Sequence, residues 1–114
     1  MATIHPTLVR QNDGVIVATW LDVTEADTGA PVSMSWAPDR TVQVVGDFTS
    51  SGAITIEGSN DGTNYATLQD NLGNDLVLTD TSVALIAQNP LYLRPRATAG
   101  SAVSMDVYIV GAPR

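Results

Sequence analysis

Side chains that could carry out chemistry are few in this sequence and mostly far apart. His5 is the only histidine and there is no cysteine, so a serine nucleophile has a single imidazole base available and zinc lacks its usual ligands. Asp22, Glu25 and Asp27 lie close together, and paired carboxylates could serve glycoside hydrolysis. We interpret these three as residues of an exposed polar loop. We therefore predict that the chain is not an enzyme.

Two oxygen-rich stretches could bind a hard cation such as calcium, which prefers carboxylate and amide oxygens. Their oxygen donors are Asn60, Asp61, Asp70, Asn71, Asn74 and Asp75. Neither stretch has the spaced acidic residues of a dedicated calcium loop, and asparagine, aspartate and glycine are common turn residues. We predict turns at both places, with no metal ion and no cofactor.

Aromatic and cationic side chains are scarce, and they are the candidates for a binding surface. Trp36 lies in a polar segment, where an aromatic side chain either contacts a partner or packs beneath the loop. For Trp20, a place at the edge of the core is the favoured interpretation. The candidate interface residues are Trp20, Met34, Trp36, Tyr65, Tyr92, Arg94 and Arg96.

Tyr92, Arg94 and Arg96 alternate along an extended run, so they share one face of a predicted strand. An arginine pair beside an aromatic ring could bind carboxylates of a neighbouring subunit, because the guanidinium fork matches a carboxylate. The alternative is a strand face that contacts only solvent. Pro95 cannot donate to a sheet ladder, so at least one side of this strand should be an edge or a bulge.

The 114 residues suit a single domain that folds without metals or crosslinks. We predict an N-terminal arm or short edge strand over residues 1–14 and one β-sandwich domain over residues 15–114. The net charge of −7 would repel a phosphate backbone, which makes nucleic acid an unsuitable partner. The start of the sequence has neither a basic leader nor a long apolar segment, so we expect no signal peptide, membrane span or membrane partner.

A hairpin in the stretch 41–68 is the most clearly defined element. Its turn, Ser59-Asn60-Asp61-Gly62, lets the chain reverse at low steric cost. A three-residue loop ending at Gly62 would set Ile56 opposite Ala66 and keep one apolar face, so we predict that register. Tyr65 would then lie on the outer face, beside Glu57.

Two further segments bear on the fold. Along residues 15–23 the odd-numbered positions are apolar apart from Thr19, and the even-numbered positions are half-apolar. This pattern indicates that both faces of the strand are covered, either by a second sheet or by a neighbouring subunit. Residues 24–39 form a polar segment with a possible short strand at 32–36, and loops of this length often carry binding function. Eight to ten short strands, with no helical period, predict an all-β fold: an antiparallel β-sandwich or jelly roll without substantial helix.

The order of these elements resembles small structural proteins of tailed bacteriophages that are found among head genes. The resemblance rests on Thr41-Val42-Gln43-Val44 with Gly46, Ala53 to Tyr65, Asn89 to Arg96 and the alternating C-terminal strand. It implies a β-sandwich capsid decoration, or cement, protein that binds the major capsid protein on the outer capsid surface of the virion, after assembly in the host cytoplasm. It also implies a homo-oligomer, for which we favour a trimer over a dimer. Residues 1–14 and 24–39 are expected to carry much of the contact.

The turn followed by Tyr65 also resembles the corresponding hairpin of discoidin-type carbohydrate- or lipid-binding modules. The chain is shorter than those modules, lacks cysteine and has tyrosine where tryptophan is common. An alternative function is therefore a carbohydrate-binding β-sandwich module of a phage tail or fibre, with Trp36, Tyr65 or Tyr92 stacked on sugar rings.

Overall fold

The structure is a computed structural model that describes residues 3–11, 14–24, 27–48, 52–98 and 104–113. Within these residues the chain forms eleven β-strands and no α-helix, which confirms the predicted all-β class. In chain order the strands are β1 (Thr3–Ile4), β2 (Thr7–Arg10), β3 (Ile16–Val23), β4 (Thr28–Gly29), β5 (Asp39–Asp47), β6 (Ala53–Ser59), β7 (Ala66–Thr67), β8 (Val77–Leu78), β9 (Ser82–Leu85), β10 (Tyr92–Thr98) and β11 (Ser104–Ala112).

The strands form two sheets that pack as a sandwich. Sheet A has the order β1-β4-β10-β6-β7, with β8 also paired to β6, and sheet B has the order β2-β3-β11-β5-β9. Four strands, β1, β4, β7 and β8, have two residues each, which is why the number of strands exceeds the predicted eight to ten. The N-terminal segment contributes an edge strand to each sheet, because β1 pairs with β4 and β2 pairs with β3.

Alternate residues of the long strands face the core, as the two-residue period of a strand requires. In β11, Met105, Val107 and Ile109 are buried, and the residues between them are half-buried. Val44 and Val42 of β5 lie opposite Val107 and Ile109, so they enlarge the same apolar layer. The buried residues that sheet A contributes to this core include Ile54, Ile56, Leu93 and Ala97.

Strand β3 directs Trp20 toward the core and its more apolar face outward. Ala18 and Trp20 are fully buried, whereas Leu21 is exposed. A bulge then places residues 21 and 22 opposite the single residue Asp106, which returns Val23 to the core face. The second sheet therefore covers only one of the two faces for which cover was predicted.

The loop of the central hairpin is longer than predicted. Gly58 lies opposite Ala66, and the N–H of Leu68 donates to the carbonyl of Ile56 at 2.9 Å. The predicted three-residue loop, which set Ile56 opposite Ala66, is therefore wrong. The observed register still brings Leu68 to the same face as Ile56, so one apolar face is kept by a longer turn.

Hydrogen bonds to the Asp61 side chain explain the extra length of this loop. The Asp61 Oδ1 atom accepts hydrogen bonds from the backbone N–H groups of Thr63 and Asn64, both at 2.8 Å. These bonds hold the chain in a compact turn before strand pairing begins. Gly62 has a φ of 78°, the left-handed conformation that was predicted for it.

Pro95 lies where the strand beside β10 is interrupted. The N–H groups of Leu93 and Ala97 donate to carbonyls of the segment that contains β4, at 2.9 and 2.8 Å, and Pro95 falls between them. Gly29 packs at this gap, since a Cβ atom there would be 2.6 Å from Pro95 Cδ. The predicted edge or bulge is not seen, because β10 lies between β4 and β6; instead the neighbouring strand on the β4 side has a gap at Pro95.

The segment 24–39 is anchored to the sandwich rather than extended from it. The strand predicted at residues 32–36 is wrong, because only Val32 makes a bridge, to Leu93. The N–H of Ala37 donates back to the carbonyl of Met34 at 2.9 Å, which turns the chain instead of extending it.

Arg40 anchors the end of the segment 24–39 through hydrogen bonds from its buried side chain. Its side chain is buried at the start of β5, and its guanidinium group donates to the carbonyls of Ala37 and Gln88. Burial lowers the pKa of Arg40, and the negative charge of Asp39 opposes that shift. Two loops from different parts of the sequence are thus joined through one buried cation.

Candidate interaction surfaces

Sheet B presents an outer face whose central rows contain no charged side chain. Residues that are paired across neighbouring strands project from the same face. One row, formed by one residue from each strand, crosses all five strands, and it consists of Val9, Val17, Val110, Thr41 and Leu85. The adjacent row consists of Thr7, Thr19, Tyr108, Gln43 and Val83. We call these ten residues the outer rows of sheet B.

Apolar side chains in the outer rows are open to solvent. Val83 is 64% exposed and Val9 is 45% exposed, at opposite edges of the sheet, and Val17 and Val110 between them are half-buried. Two carboxylates of this face, Asp39 and Asp106, lie at its two ends beyond the rows, as their partners in the register show. A chain with twelve acidic residues thus keeps this part of its surface neutral.

Sheet A presents a different outer face, with an ionic cluster at its centre. Arg94 lies opposite Glu57 in the pairing of β10 with β6, and Arg96 lies two residues further along β10. The Nε atom of Arg94 donates to Glu57 Oε1 at 2.9 Å, and the Nε atom of Arg96 donates to Glu57 Oε2 at 3.0 Å. We call Glu57, Arg94, Arg96 and Tyr65 the arginine cluster.

Burial differs among the members of the arginine cluster. The side chain of Glu57 is 8% exposed, that of Arg94 is 24% exposed and that of Arg96 is 45% exposed. The guanidinium carbon of Arg94 lies 3.7 Å from the centroid of the Tyr65 ring, within the range of a cation–π contact. Tyr65 therefore lies on the outer face near Glu57, as predicted, and one face of its ring is occupied.

The remaining aromatic candidates are dispersed. Tyr92 is half-buried and packs against the hairpin turn, because a Cβ atom on Gly62 would be 3.3 Å from its ring. Trp36 is 47% exposed at the turn in the segment 24–39. Tyr92, Arg94 and Arg96 do share one strand face, and each lies opposite a residue of β6.

Trp20 and Met34 are not surface residues, which corrects their place among the interface candidates. Trp20 is fully buried, and its indole Nε1 donates to the carbonyl of Ala30 at 3.0 Å. Met34 is also buried, and it lies against Gly111 of β11. Both side chains hold the segment 24–39 onto the core, so they affect a partner only through that segment.

The neighbouring carboxylates of the front loop have separate structural roles. Asp27 is buried, and its Oδ2 atom accepts from both the N–H and the hydroxyl of Thr24, at 3.0 and 2.8 Å. Asp22 lies in the bulge of β3, where its Oδ1 accepts from the Ser104 hydroxyl at 3.0 Å. Glu25 lies outside the described residues. His5 is exposed between β1 and β2.

The oxygen-rich stretches are turns whose carboxylates bond to the chain itself. Backbone N–H groups of Asn64 and Thr63 lower the pKa of Asp61, and those of Asn74 and Leu72 lower the pKa of Asp70. Among the described residues, no three acidic or histidine side chains come together as metal ligands. No helix in the described part of the chain is long and apolar enough to cross a bilayer.

Two features of these surfaces were not predicted from the sequence. The odd-numbered apolar residues of β3 indicated that its other face is also apolar. Only the pairing of strands that are distant in sequence shows that Val9 and Leu85 lie in one row with them. Glu57 gave no signal as a bridge between two arginines, since β6 and β10 are more than thirty residues apart.

Comparison with known proteins shows that this chain is similar in fold to several solved structures. No protein-family model and no curated protein matches the sequence. Among solved structures, the SPBc2 prophage-derived protein YomS is similar with a TM-score of 0.59 and 10% identity, over 92% of this chain and 100% of that chain. A cupin domain from Bordetella pertussis has a TM-score of 0.43 and 14% identity, over 91% of this chain and 88% of that chain.

Protein NMB1881 from Neisseria meningitidis has a TM-score of 0.41 and 10% identity, over 91% of this chain and 79% of that chain. At these identities the similarity concerns the fold alone. The chain is a β-sandwich whose fold resembles that of a prophage-derived protein.

Proposed function

We propose that this chain is a virion structural protein, a capsid decoration protein that binds the major capsid protein on the outside of a phage head and stabilises the shell. It acts by binding and not by catalysis, as a homo-oligomer, with a trimer favoured over a dimer. The observation that carries the proposal is the neutral, partly apolar outer face of sheet B. The resemblance to phage head proteins and the fold similarity to a prophage-derived protein support a phage origin.

The size of this face favours many weak contacts over one strong contact. Five strands with a spacing of about 4.8 Å and two rows about 6.8 Å apart give a face of about 300 Å². At ~25 cal/mol per Å² the gross gain is at most about 8 kcal/mol, which is comparable to the estimated ~4–15 kcal/mol cost of association. A single copy would therefore bind weakly. Copies joined in an oligomer and held by the symmetry of a shell would bind much more tightly through multivalency.

Charge also favours this face as the one that meets other proteins. Two copies of a chain with a net charge of −7 repel each other wherever their carboxylates approach. The outer rows of sheet B contain no carboxylate, so neighbouring subunits can approach there with the least repulsion.

The geometry supports carbohydrate binding less well. Sugar recognition by stacking needs an open aromatic ring, and usually two in one plane. One face of the Tyr65 ring is occupied by Arg94, Tyr92 packs against the hairpin turn, and Trp36 is exposed in a separate loop.

A binding experiment with shells that lack the protein tests the proposal. Val83→Asp and Val9→Asp place a carboxylate in the outer rows, at opposite edges of the sheet. We expect each variant to co-sediment with shells at least tenfold more weakly than the unsubstituted chain. Leu72→Asp is the matched control, because Leu72 is 79% exposed in a turn outside sheet B and the change in charge is the same. Equal binding by all four proteins would contradict the role of this face.

The contact expected from residues 1–14 and 24–39 needs substitutions rather than deletions. Removal of residues 1–10 would also remove β2 and leave β3 as an unpaired edge, so loss of binding would have two explanations. Leu8→Asp tests the N-terminal segment, since Leu8 is 59% exposed. Trp36→Ala tests the other segment. Unchanged oligomerisation and shell binding in both variants would exclude these segments from the interface.

A further inference from the structure

We infer that the arginine cluster is a binding site for carboxylate groups of an acidic protein segment. The inference concerns the outer face of sheet A, does not use the outer rows of sheet B and does not depend on shell binding. Its basis is a pair of guanidinium groups that are held in place by one buried carboxylate and one aromatic ring.

The charge of the cluster is unbalanced. Two arginines and one glutamate give a net charge of +1, in a chain whose total is −7. Each oxygen of Glu57 accepts from one Nε atom, so its charge is shared between the two guanidinium groups. One further carboxylate would neutralise the cluster, and a hydrogen bond between a guanidinium group and a carboxylate is stronger than one between neutral groups.

The unused donors point to a planar anion. A guanidinium group has five N–H donors, and Glu57 occupies only the Nε–H of each arginine. The Nη groups of Arg94 and Arg96 make no hydrogen bond to another residue in the described part of the chain, and both side chains are partly exposed. A carboxylate can accept two parallel hydrogen bonds from such donors.

The guanidinium group of Arg94 is preorganised. Its Nε–H is bonded to Glu57 Oε1 at 2.9 Å, and its carbon Cζ lies over the Tyr65 ring, 3.7 Å from the ring centroid. Fixing an arginine beforehand reduces the side-chain entropy that is lost when a ligand binds. Arg96, which is 45% exposed, has its Nε fixed and its terminal nitrogens near solvent.

A protein segment fits this site better than an acidic sugar. The ring of Tyr65, which a sugar could stack on, is already covered by Arg94 on one face. Recognition at the cluster would therefore be ionic, without the stacking that sugar binding uses. An acidic segment of a protein offers several carboxylates in succession, and the strand alternation places the two arginines on one face to receive them.

Titration with a capped hexaglutamate peptide tests the inference. The titration is done at about 0.15 M salt, where the Debye length is about 8 Å, so that attraction between distant charges is screened more than attraction between groups in contact. The Arg Nε–H resonances of the intact chain report on the site directly. We expect saturable shifts in the resonances of Arg94 and Arg96, and none with a capped hexaglutamine peptide. Arg96→Gln should weaken peptide binding at least tenfold, and Arg96→Lys should weaken it several-fold because it keeps the charge and loses the fork.

Arg10→Gln is the matched control, since it makes the same change in net charge at an exposed position of β2 in the other sheet. Binding within twofold of the unsubstituted chain is expected for this control. The inference is overturned if the intact chain shows no shifts, if Arg10→Gln and Arg96→Gln weaken binding equally, or if an oligogalacturonate binds more tightly than the peptide. Thermal midpoints of the three variants show whether each is folded, and the intact-chain titration stands if one of them is not.

Discussion

Glu57 and Arg94 lie directly opposite each other on β6 and β10, and their side chains are joined by a hydrogen bond of 2.9 Å on the outer face of sheet A. Arg96 bonds to the other oxygen of the same carboxylate at 3.0 Å. One acidic residue thus holds two like charges on a single strand. We therefore expect the stability of this face to depend on that carboxylate more than on either arginine.

Replacement of this carboxylate is expected to destabilise the fold. Glu57→Gln keeps the size of the side chain, but it leaves Arg94 and Arg96 close together without a negative charge between them. We expect the free energy of unfolding to fall by about 1–3 kcal/mol, less than for a fully buried pair because both arginines are partly exposed. Urea denaturation measures the change. An unchanged midpoint would mean that the ion pairs contribute nothing to stability.

The lowered pKa of Asp61 should make the stability of the fold depend on pH. Hydrogen bonds from the backbone of Asn64 and Thr63 lower its pKa in the folded state, so its contribution is fully present above the unfolded pKa of about 3.9 and is lost as pH falls below that value. Asp61→Asn keeps a turn-forming acceptor and removes the titrating group. Thermal midpoints between pH 2 and 7 should fall less steeply on acidification in this variant. Parallel profiles for the two proteins would contradict the assignment.

Gly29 is expected to tolerate no side chain. A Cβ atom there would be 2.6 Å from Pro95 Cδ and 2.8 Å from Trp20 Nε1, in the interior of the fold. Gly29→Ala should lower the free energy of unfolding by about 1–3 kcal/mol through overpacking. Gly73→Ala is a useful contrast, because that residue has a φ of +84° and no atom within 4 Å of the added carbon. Its smaller cost, about 1 kcal/mol, comes from backbone strain alone.

Replacement by alanine should lower the stability of the fold much more at Trp20 than at Trp36. Trp20→Ala removes a fully buried ring and its hydrogen bond to Ala30, so a loss of about 3–5 kcal/mol in stability is expected. Trp36→Ala changes an exposed side chain and should alter stability by no more than about 0.5 kcal/mol. Chemical denaturation of both variants checks the pair. Equal losses would mean that Trp36 is part of the core.

The sequence was sufficient to predict the elements whose signals are local. Alternation identified the all-β class, and Gly62 and its neighbours identified the turn. The face shared by Tyr92, Arg94 and Arg96 also follows from alternation alone. Each of these inferences depends on residues that are close together in the chain.

The errors arose where distant residues or side-chain bonds decide the structure. The hairpin register depended on the hydrogen bonds of Asp61, which lengthen the loop without changing its composition. Composition favoured the odd-numbered face of β3 as the inner one, but the structure turns Ala18 and the large Trp20 side chain inward, where Trp20 bonds to Ala30. The bridge through Glu57 required the pairing of β6 with β10.

The central claim, that this chain is a capsid decoration protein, is tested most directly by the copy number of the chain in purified phage particles. Quantitative mass spectrometry against the major capsid protein gives that number. A decoration protein that acts through many weak, symmetric contacts should be present at a number comparable to that of the capsid subunit. A handful of copies per particle would favour the tail or fibre, and absence from the particle would contradict the proposed function.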